Sequence, residues 1–195
     1  RAPRVAPSIP HTALKVSLLR FEKVPPRSED LDQLVRWQLR KAAPFPVDDA
    51  SVTYAPGLEI DGGGREFLVE LARRDTNREY EAICEEANTY AGLVDTATLA
   101  QLGLFSGSAA PAGDWLLVHV RPDYTSIVIA RGEQVIFHRN RPEDEGTDLE
   151  DLVHQTAMYY QDRLAGQGFA RLRSAGLTML IVEHVVLETI RMRLK

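Results

Sequence analysis

The sequence holds one cysteine, Cys84, among its 195 residues. An internal disulfide needs two thiols and a cysteine-rich zinc site needs several, so the sequence excludes both. Cys84 has apolar neighbours in a predicted helix and no cation or histidine beside it, which favours a buried structural thiol over a catalytic nucleophile. Such sparing use of cysteine is typical of proteins in a reducing compartment.

Long apolar runs and an excess of positive charge are also missing. The longest apolar run, Leu177 to Val182, stops at Glu183, whereas a membrane-spanning helix needs about 20 apolar residues. We therefore expect no transmembrane segment within this sequence, and no signal peptide is visible. The formal net charge is −5, so the chain as a whole lacks the basic surface that nucleic-acid binding requires.

The first half of the sequence predicts a helix that begins at Ser28 and ends before Pro44. Acidic residues suit its first turn and basic residues its last. One face of this helix carries an apolar stripe that consists of Leu31, Leu34, Val35, Leu39 and Ala42. Such spacing is typical of a helix that packs against a core.

A glycine triplet, Gly62–Gly64, joins two strands predicted over residues 51–56 and 65–72. Glycine supplies the positive-φ residues of a tight hairpin turn. The other interpretation, a phosphate-binding loop, needs a helix N-terminus directly after the glycines. Because a strand follows instead, we favour the hairpin.

The limits of the flanking elements follow from local signals. The N-terminus is rich in proline, so we expect ordered structure to begin near Ala13. A capping box, Thr76 to Glu79, predicts the start of a second helix, and Gly92 predicts its end. Gly107–Gly113 is a run of small residues that indicates a linker.

The second half of the sequence predicts three adjacent strands followed by a helix, a short strand and a last helix. The strands alternate or run apolar, and a second capping box marks the start of the first helix. The predicted ranges are, in order, residues 115–120, 125–130, 134–139, 147–164, 169–172 and 186–194.

Three stretches carry a resemblance to a known family. They read LVRWQLRKAAPFPVDDASVTYAP, FLVELARRDTNREYEAICEEANTYAGLVD and LLVHVRPDYTSIVIARGEQVIFHRNR. In this order, over nearly all of residues 16–168, they resemble the PilM family of type IV pilus assembly proteins, which are actin-like and related to FtsA. The resemblance implies an α/β, actin-like or ribonuclease H-like fold.

The resemblance also implies a division of the chain into two lobes. Residues 13–106 would form an incomplete first lobe, in which residues 21–92 form an inserted small α/β subdomain. Residues 107–113 would be the linker, and residues 114–195 a second lobe with the three-stranded meander and helices. The family's first phosphate loop would precede residue 1.

The family's other nucleotide motifs are altered in this sequence. The second phosphate motif, an Asp-Ile-Gly followed by Thr, reads His119-Val120-Arg121 with Thr125 retained, and the adenosine motif reads Ser174 to Leu177 with a single glycine. The resemblance points to four residues that would contact a nucleotide, namely Arg121, Asp123, Thr125 and Gly176. Either no cofactor binds, or ATP with magnesium binds the longer parent protein. No catalytic or metal-ligating set is expected.

The residues themselves leave other interpretations open. Asp123 follows Pro122 and is typical of a turn. Arg121, Arg139 and Arg141 are either phosphate-attracting residues or solvated arginines at a loop edge. His119 lies among apolar neighbours, which favours a hydrogen-bonded structural histidine over a general base.

The function implied by the resemblance is that of a scaffold. The family's protein docks the cytoplasmic tail of a PilN-like, single-pass inner-membrane protein, so we expect a cytoplasmic protein peripheral to the inner membrane. Four residues are expected in the peptide groove or in the adjacent core: Leu34, Trp37, Phe45 and Val47. An exposed aromatic near a proline turn is a suitable anchor for a peptide.

Two other functions remain in contention at this stage. One is an actin-like nucleotide-binding enzyme, an ATPase or kinase, whose first phosphate loop lies outside this sequence. The other is the cytoplasmic actin-like domain of a type II secretion L protein, which shares the architecture and the role of binding a membrane partner.

Overall fold

A computed structural model describes residues 2–106, 113–143 and 148–176. The chain divides into two compact units, residues 1–101 and 102–195. The predicted C-terminal helix, most of the predicted linker and Thr147 of the second capping box lie outside the described residues. The predicted lobe limits stay a prediction.

The first unit is built on a three-stranded antiparallel sheet with two helices packed against it. The strand order is β3-β5-β4. The elements in chain order are β1 (Arg4–Val5), β2 (Ser8–Ile9), β3 (Leu14–Phe21), α1 (Ser28–Leu39), β4 (Ala50–Ile60), β5 (Gly64–Arg73), α2 (Arg74–Glu86), β6 (Tyr90–Ala91), β7 (Asp95–Thr96) and α3 (Ala97–Ser106), whose last five residues belong to the second unit. Short 3₁₀ turns occupy His11–Ala13 and Val47–Asp49.

The hairpin between β4 and β5 confirms the interpretation of the glycine triplet. Gly62 and Gly63 adopt φ values of 86° and 85°, which are conformations that residues with a Cβ rarely adopt. A Cβ on Gly64 would lie 2.6 Å from the carbonyl oxygen of Phe21. The third glycine is therefore required by the close approach of β3.

The apolar stripe of α1 packs onto one face of this sheet, as its spacing predicts. The buried cluster consists of Phe21, Val35, Leu39, Val47, Ala50, Phe67, Val69 and Leu71. Val35 and Leu39 are 0% and 1% exposed. Burial of such side chains stabilises the unit by about 1.5–3 kcal/mol each.

The expectation that order begins near Ala13 was wrong. β1 pairs in parallel with β6, and β2 pairs in parallel with β7. Proline lacks a donor, but its carbonyl still accepts: the backbone N–H of Tyr90 donates to the Pro3 carbonyl at 2.9 Å. The proline-rich start of the chain is thus held by a segment about ninety residues away, which local patterns do not predict.

The predicted start and end of the second helix were also wrong. Helix α2 begins at Arg74, and Asp75 accepts a hydrogen bond from the Thr76 backbone N–H at 2.8 Å. The helix ends at Glu86, and Asn88 takes the left-handed conformation (φ 54°) that Gly92 was expected to supply. Asparagine adopts this conformation more readily than most residues.

The second unit contains the predicted three-stranded meander within a four-stranded sheet. Its elements are β8 (Asp114–Val120), β9 (Tyr124–Arg131), β10 (Gln134–Pro142), α4 (Leu149–Leu164) and β11 (Arg171–Gly176), and the strand order is β10-β9-β8-β11. β11 pairs in parallel with β8, so the chain needs a crossover, which α4 supplies. The short strand predicted at residues 169–172 is β11, which begins two residues later and ends four residues later than predicted.

The mixed α/β class predicted from the sequence is confirmed by these elements. Helix α4 ends at Leu164, as predicted, and the next residue, Ala165, takes the left-handed conformation at φ 52°. In the described part of the chain, no helix is both long enough and apolar enough to cross a membrane.

Candidate functional site

Helix α1 and the turn after it place the residues expected at a peptide groove. Trp37 is 52% exposed. Leu34 and Phe45 are partly buried and pack against the core of the first unit, whereas Val47 is part of that core. Three of the four residues therefore reach the surface, and Val47 supports them from within.

Both aromatic rings of this region lie against a cation. The Lys41 Nζ atom lies 4.5 Å from the centroid of the Trp37 ring, and the Arg73 guanidinium carbon lies 5.8 Å from the centroid of the Phe45 ring. Arg73 is itself held by Asp75, with its Nη2 atom donating to Oδ2 at 2.6 Å. These contacts orient the rings while leaving much of the Trp37 ring accessible.

We call Leu34, Trp37 and Phe45 the aromatic surface. A tryptophan contributes a large apolar area, and its ring NH offers a hydrogen bond, so it is a frequent energetic centre of protein interfaces. That the aromatic surface binds a peptide stays a prediction. This surface carries no group arranged for covalent chemistry.

In the second unit, the residues expected at a nucleotide lie at one edge of the sheet. Thr125 on β9 and Gly176 on β11 both pair with Val120 on β8, and Arg141 on β10 pairs with Thr125. Arg121 and Asp123 lie in the turn between β8 and β9. The carboxyl ends of the parallel strands β8 and β11 meet here, which is where ligands bind in many α/β sheets.

The backbone at this edge is engaged within the protein. The Arg121 backbone N–H donates to the Tyr124 carbonyl at 2.8 Å, and the Glu143 N–H donates to the Asp123 carbonyl at 3.1 Å. Gly176 adopts φ 110°, and a Cβ there would lie 1.8 Å from the Val120 carbonyl oxygen. This glycine serves the contact between β8 and β11, and the space beside it is filled by backbone.

At this edge, the described residues hold no ready-made magnesium site. Within residues 2–106, 113–143 and 148–176, no group of three histidine, cysteine or acidic side chains is placed to hold a metal ion. His119, which stands where the family has aspartate, is 1% exposed. Burial, followed by the nearby charge of Arg121, lowers the pKa of its imidazole. A buried neutral imidazole cannot replace a carboxylate that orients magnesium or its water.

His119 has a packing environment instead. Its ring meets the Tyr124 ring edge to face, with the centroids 5.7 Å apart. The assignment of Arg121, Asp123, Thr125 and Gly176 to nucleotide contact stays a prediction.

At the opposite end of β8, Asp114 is the centre of a network that sequence reasoning missed. Its carboxylate accepts hydrogen bonds from Arg131 Nε and Nη2, both at 2.8 Å, and from the Tyr160 hydroxyl at 2.8 Å. The hydrogen bond from Arg131 is the main reason that the pKa of Asp114 is lowered. Burial is the main reason that the pKa of Tyr160 rises to about 12. The three residues come from three separate elements, so no local motif marks them.

The first unit holds a buried polar pair and a carboxyl group with a raised pKa that no sequence motif indicated. His11 Nε2 lies 2.8 Å from the Thr98 hydroxyl oxygen in a buried pair. Burial, and then the charge of Asp95, raises the pKa of Glu70 to about 7. The His11–Thr98 pair joins a turn to α3, and the charge of Asp95 in β7 acts on Glu70 in β5.

Comparisons with known proteins identify the fold. The chain matches no protein-family model and no curated protein. It is similar to a chain of the PilM–PilN type IV pilus biogenesis complex, with a TM-score of 0.79 and 15% sequence identity, over 98% of this chain and 68% of that chain.

Two other solved structures are similar in fold. One is the cytoplasmic domain of EpsL, an inner-membrane component of the type II secretion system of Vibrio cholerae, with a TM-score of 0.55 and 14% identity, over 96% of this chain and 75% of that chain. The other is a Bacteroides thetaiotaomicron protein of unknown function with an actin-like ATPase fold, with a TM-score of 0.53 and 12% identity, over 90% of this chain and 62% of that chain.

The actin-like fold predicted from the sequence is thereby confirmed, and so is the resemblance to PilM at the level of the fold. At these identities the likeness establishes architecture. Function rests on the side chains described above.

Proposed function

We propose that this protein is a scaffold component of type IV pilus biogenesis that docks the cytoplasmic tail of a single-pass, PilN-like inner-membrane protein. It would act in the cytoplasm, peripheral to the inner membrane. The likeness to the PilM–PilN complex supports the system and the kind of partner. The aromatic surface supports the mode of binding.

The exposure of Trp37 is the observation that carries this proposal. The other large apolar side chains of α1 pack into or against the core, yet this tryptophan keeps 52% of its surface in contact with solvent. Leu34 precedes Trp37 by three residues and Phe45 follows it by eight, and both are partly buried. A docked peptide would bury the ring and recover the hydrophobic free energy that its exposure forgoes.

A type II secretion role is the second candidate, since the cytoplasmic domain of EpsL has the same fold and is covered over 75% of its length. It would use the same aromatic surface toward a different membrane partner. The enzyme alternative has less support, because His119 and Arg121 replace the residues that magnesium and phosphate need. Arg121, Asp123, Thr125 and Gly176 are the residues that we propose for nucleotide contact in that alternative.

A binding titration tests the proposal. The probe is a fluorescently labelled peptide with the sequence of the cytoplasmic tail of the PilN-like protein from the same genome, measured by anisotropy against the full-length protein. We expect Trp37→Ala to weaken binding about thirtyfold, because an interface centre contributes about 2 kcal/mol. Tyr90→Ala is the matched control, because Tyr90 is an aromatic of the same unit that is 61% exposed.

Each outcome has a distinct meaning. If Trp37→Ala binds the tail as tightly as the wild type does, the proposed partner stands, but the aromatic surface is not where the tail binds. The absence of tail binding, together with tight binding of magnesium-ATP, would overturn the scaffold and favour the enzyme. Circular dichroism of both variants confirms that the first unit remains folded.

A further inference from the structure

A second candidate interaction site lies where the β4–β5 hairpin, the β3–α1 loop and the first turns of α1 meet. It is a cavity of about 510 Å³, within the range of about 300–1,000 Å³ that ligand pockets occupy. The cavity is lined by Val24, Leu31, Glu59, Ile60, Gly63, Gly64, Arg65 and Phe67. Four of these side chains are apolar, so the cavity offers a hydrophobic wall.

The polar part of the wall is one ion pair. Arg65 Nη2 lies against Glu59 Oε1, and the Arg65 side chain is 34% exposed whereas the Glu59 side chain is 79% exposed. Glu59 therefore keeps a carboxylate that a second cation can approach from solvent. An exposed ion pair contributes little by itself. A cation from a ligand could therefore bind Glu59 without having to break a strong interaction with Arg65.

The segments that form the cavity carry an excess of negative charge. Residues 22–31 and 59–65 contain five carboxylates, Glu22, Glu29, Asp30, Glu59 and Asp61, against three cations, Lys23, Arg27 and Arg65. All five carboxylates belong to exposed residues. A cavity with an apolar wall and an acidic surround attracts a ligand that is apolar and positively charged.

We propose that this cavity binds a basic segment of a partner protein that inserts an aliphatic side chain. The apolar wall would take the aliphatic group, and Glu59 with its neighbouring carboxylates would hold lysine or arginine side chains beside it. A partner peptide fits better than a membrane surface, because anionic lipids would be repelled by the acidic surround.

The cavity is separate from the aromatic surface. Leu31 and Trp37 are six residues apart on α1, which corresponds to an axial rise of about 9 Å. None of Leu34, Trp37 and Phe45 is among the cavity-lining residues, although Leu34 lies one helical turn from Leu31. The Trp37→Ala titration and the tests of the cavity therefore change different residues.

Selection from a random dodecapeptide display library tests this inference. The full-length protein is the bait, and Val24→Trp, which fills the cavity, is used for counter-selection. We expect the enriched peptides to combine aliphatic residues with lysine or arginine, and to bind about tenfold more weakly to Val24→Trp. We also expect their affinity to fall as salt is raised, because exposed charges are screened.

A charge-reversed protein keeps the test independent of the folding of the Val24 variant. Glu59→Lys combined with Asp61→Lys changes exposed residues and should weaken the selected peptides several-fold. The matched control is Glu81→Lys, an exposed site on α2, which should leave binding unchanged. Enrichment of acidic peptides, equal binding to all variants, or no enrichment above the counter-selected background would overturn the inference.

Discussion

Replacement of Asp114 by alanine is expected to lower the free energy of unfolding of the second unit by about 2–3 kcal/mol, because it removes the acceptor of Arg131 and one of the two acceptors of the Tyr160 hydroxyl. The hydroxyl keeps the Gly168 carbonyl at 2.9 Å, and the Arg131 side chain is 42% exposed, so solvent offsets part of the loss. The Asp114 carboxylate accepts hydrogen bonds from Arg131 and Tyr160, and its residue is 8% exposed. Its backbone carbonyl also accepts from the Ala170 N–H at 2.7 Å, a contact that the substitution retains. The expected loss of stability therefore comes from the carboxylate group and not from the backbone.

The two tryptophans allow this loss to be measured in one unit. Trp37 lies in the first unit and Trp115, buried at 1% exposure, in the second. In a Trp37→Phe background, tryptophan fluorescence during urea unfolding reports on Trp115 alone. Glu133→Ala, at an exposed site in the β9–β10 turn, is the matched control and should cost less than about 0.5 kcal/mol.

The effect of Asp114 also has a defined pH dependence. Its folded-state pKa is lowered, mainly by the hydrogen bond from Arg131, so its contribution is complete above the unfolded pKa of about 3.9 and is lost as the pH falls through the folded value. The stability difference between the wild type and Asp114→Asn should therefore shrink at acidic pH. A difference that is constant between neutral and strongly acidic pH would contradict the assigned ion pair.

Gly176→Ala is expected to be the most damaging change at the carboxyl edge of the second sheet. The new methyl group would lie 1.8 Å from the Val120 carbonyl oxygen, and the residue would be held at φ 110°. Strain at such a φ costs about 1–3 kcal/mol, and relief of the clash must separate β11 from β8. We expect a total loss of at least about 3 kcal/mol in the same Trp115 assay.

Gly132→Ala separates these two contributions. Gly132 adopts φ 58°, and a Cβ there would meet no atom within 4 Å. It should cost about 1 kcal/mol through the backbone alone. If the two alanine variants lose the same amount of stability, then Gly176 and the Val120 carbonyl are not as close as the structure places them.

The elements that the sequence predicted are those whose signal is local. The stripe of α1 is read from spacing, the hairpin from three successive glycines, and the meander from three adjacent apolar strands. The start of the chain was missed because β1 and β2 are held by partners at residues 90–96. Short strands between prolines have no pattern of their own.

The candidate sites show the same limit. The sequence predicted that Trp37 and Val47 both lie in the groove or the adjacent core. Only the packed structure shows that the Trp37 ring is exposed and that Val47 is buried. Asp114, Arg131 and Tyr160 each have an ordinary local context, and their hydrogen bonds depend on how β8, β9 and α4 pack. The cavity beside Glu59 likewise exists only once the hairpin and α1 are brought together.

Site-specific photocrosslinking tests the docking account most directly. A photoreactive phenylalanine analogue is placed at position 37 of the full-length protein in its native cells, with position 90 as the exposed control, and the adducts are identified by mass spectrometry. The account predicts an adduct at position 37, absent at position 90, with the cytoplasmic tail of a single-pass inner-membrane protein. Adducts with soluble proteins alone, or the same adducts at both positions, would contradict it.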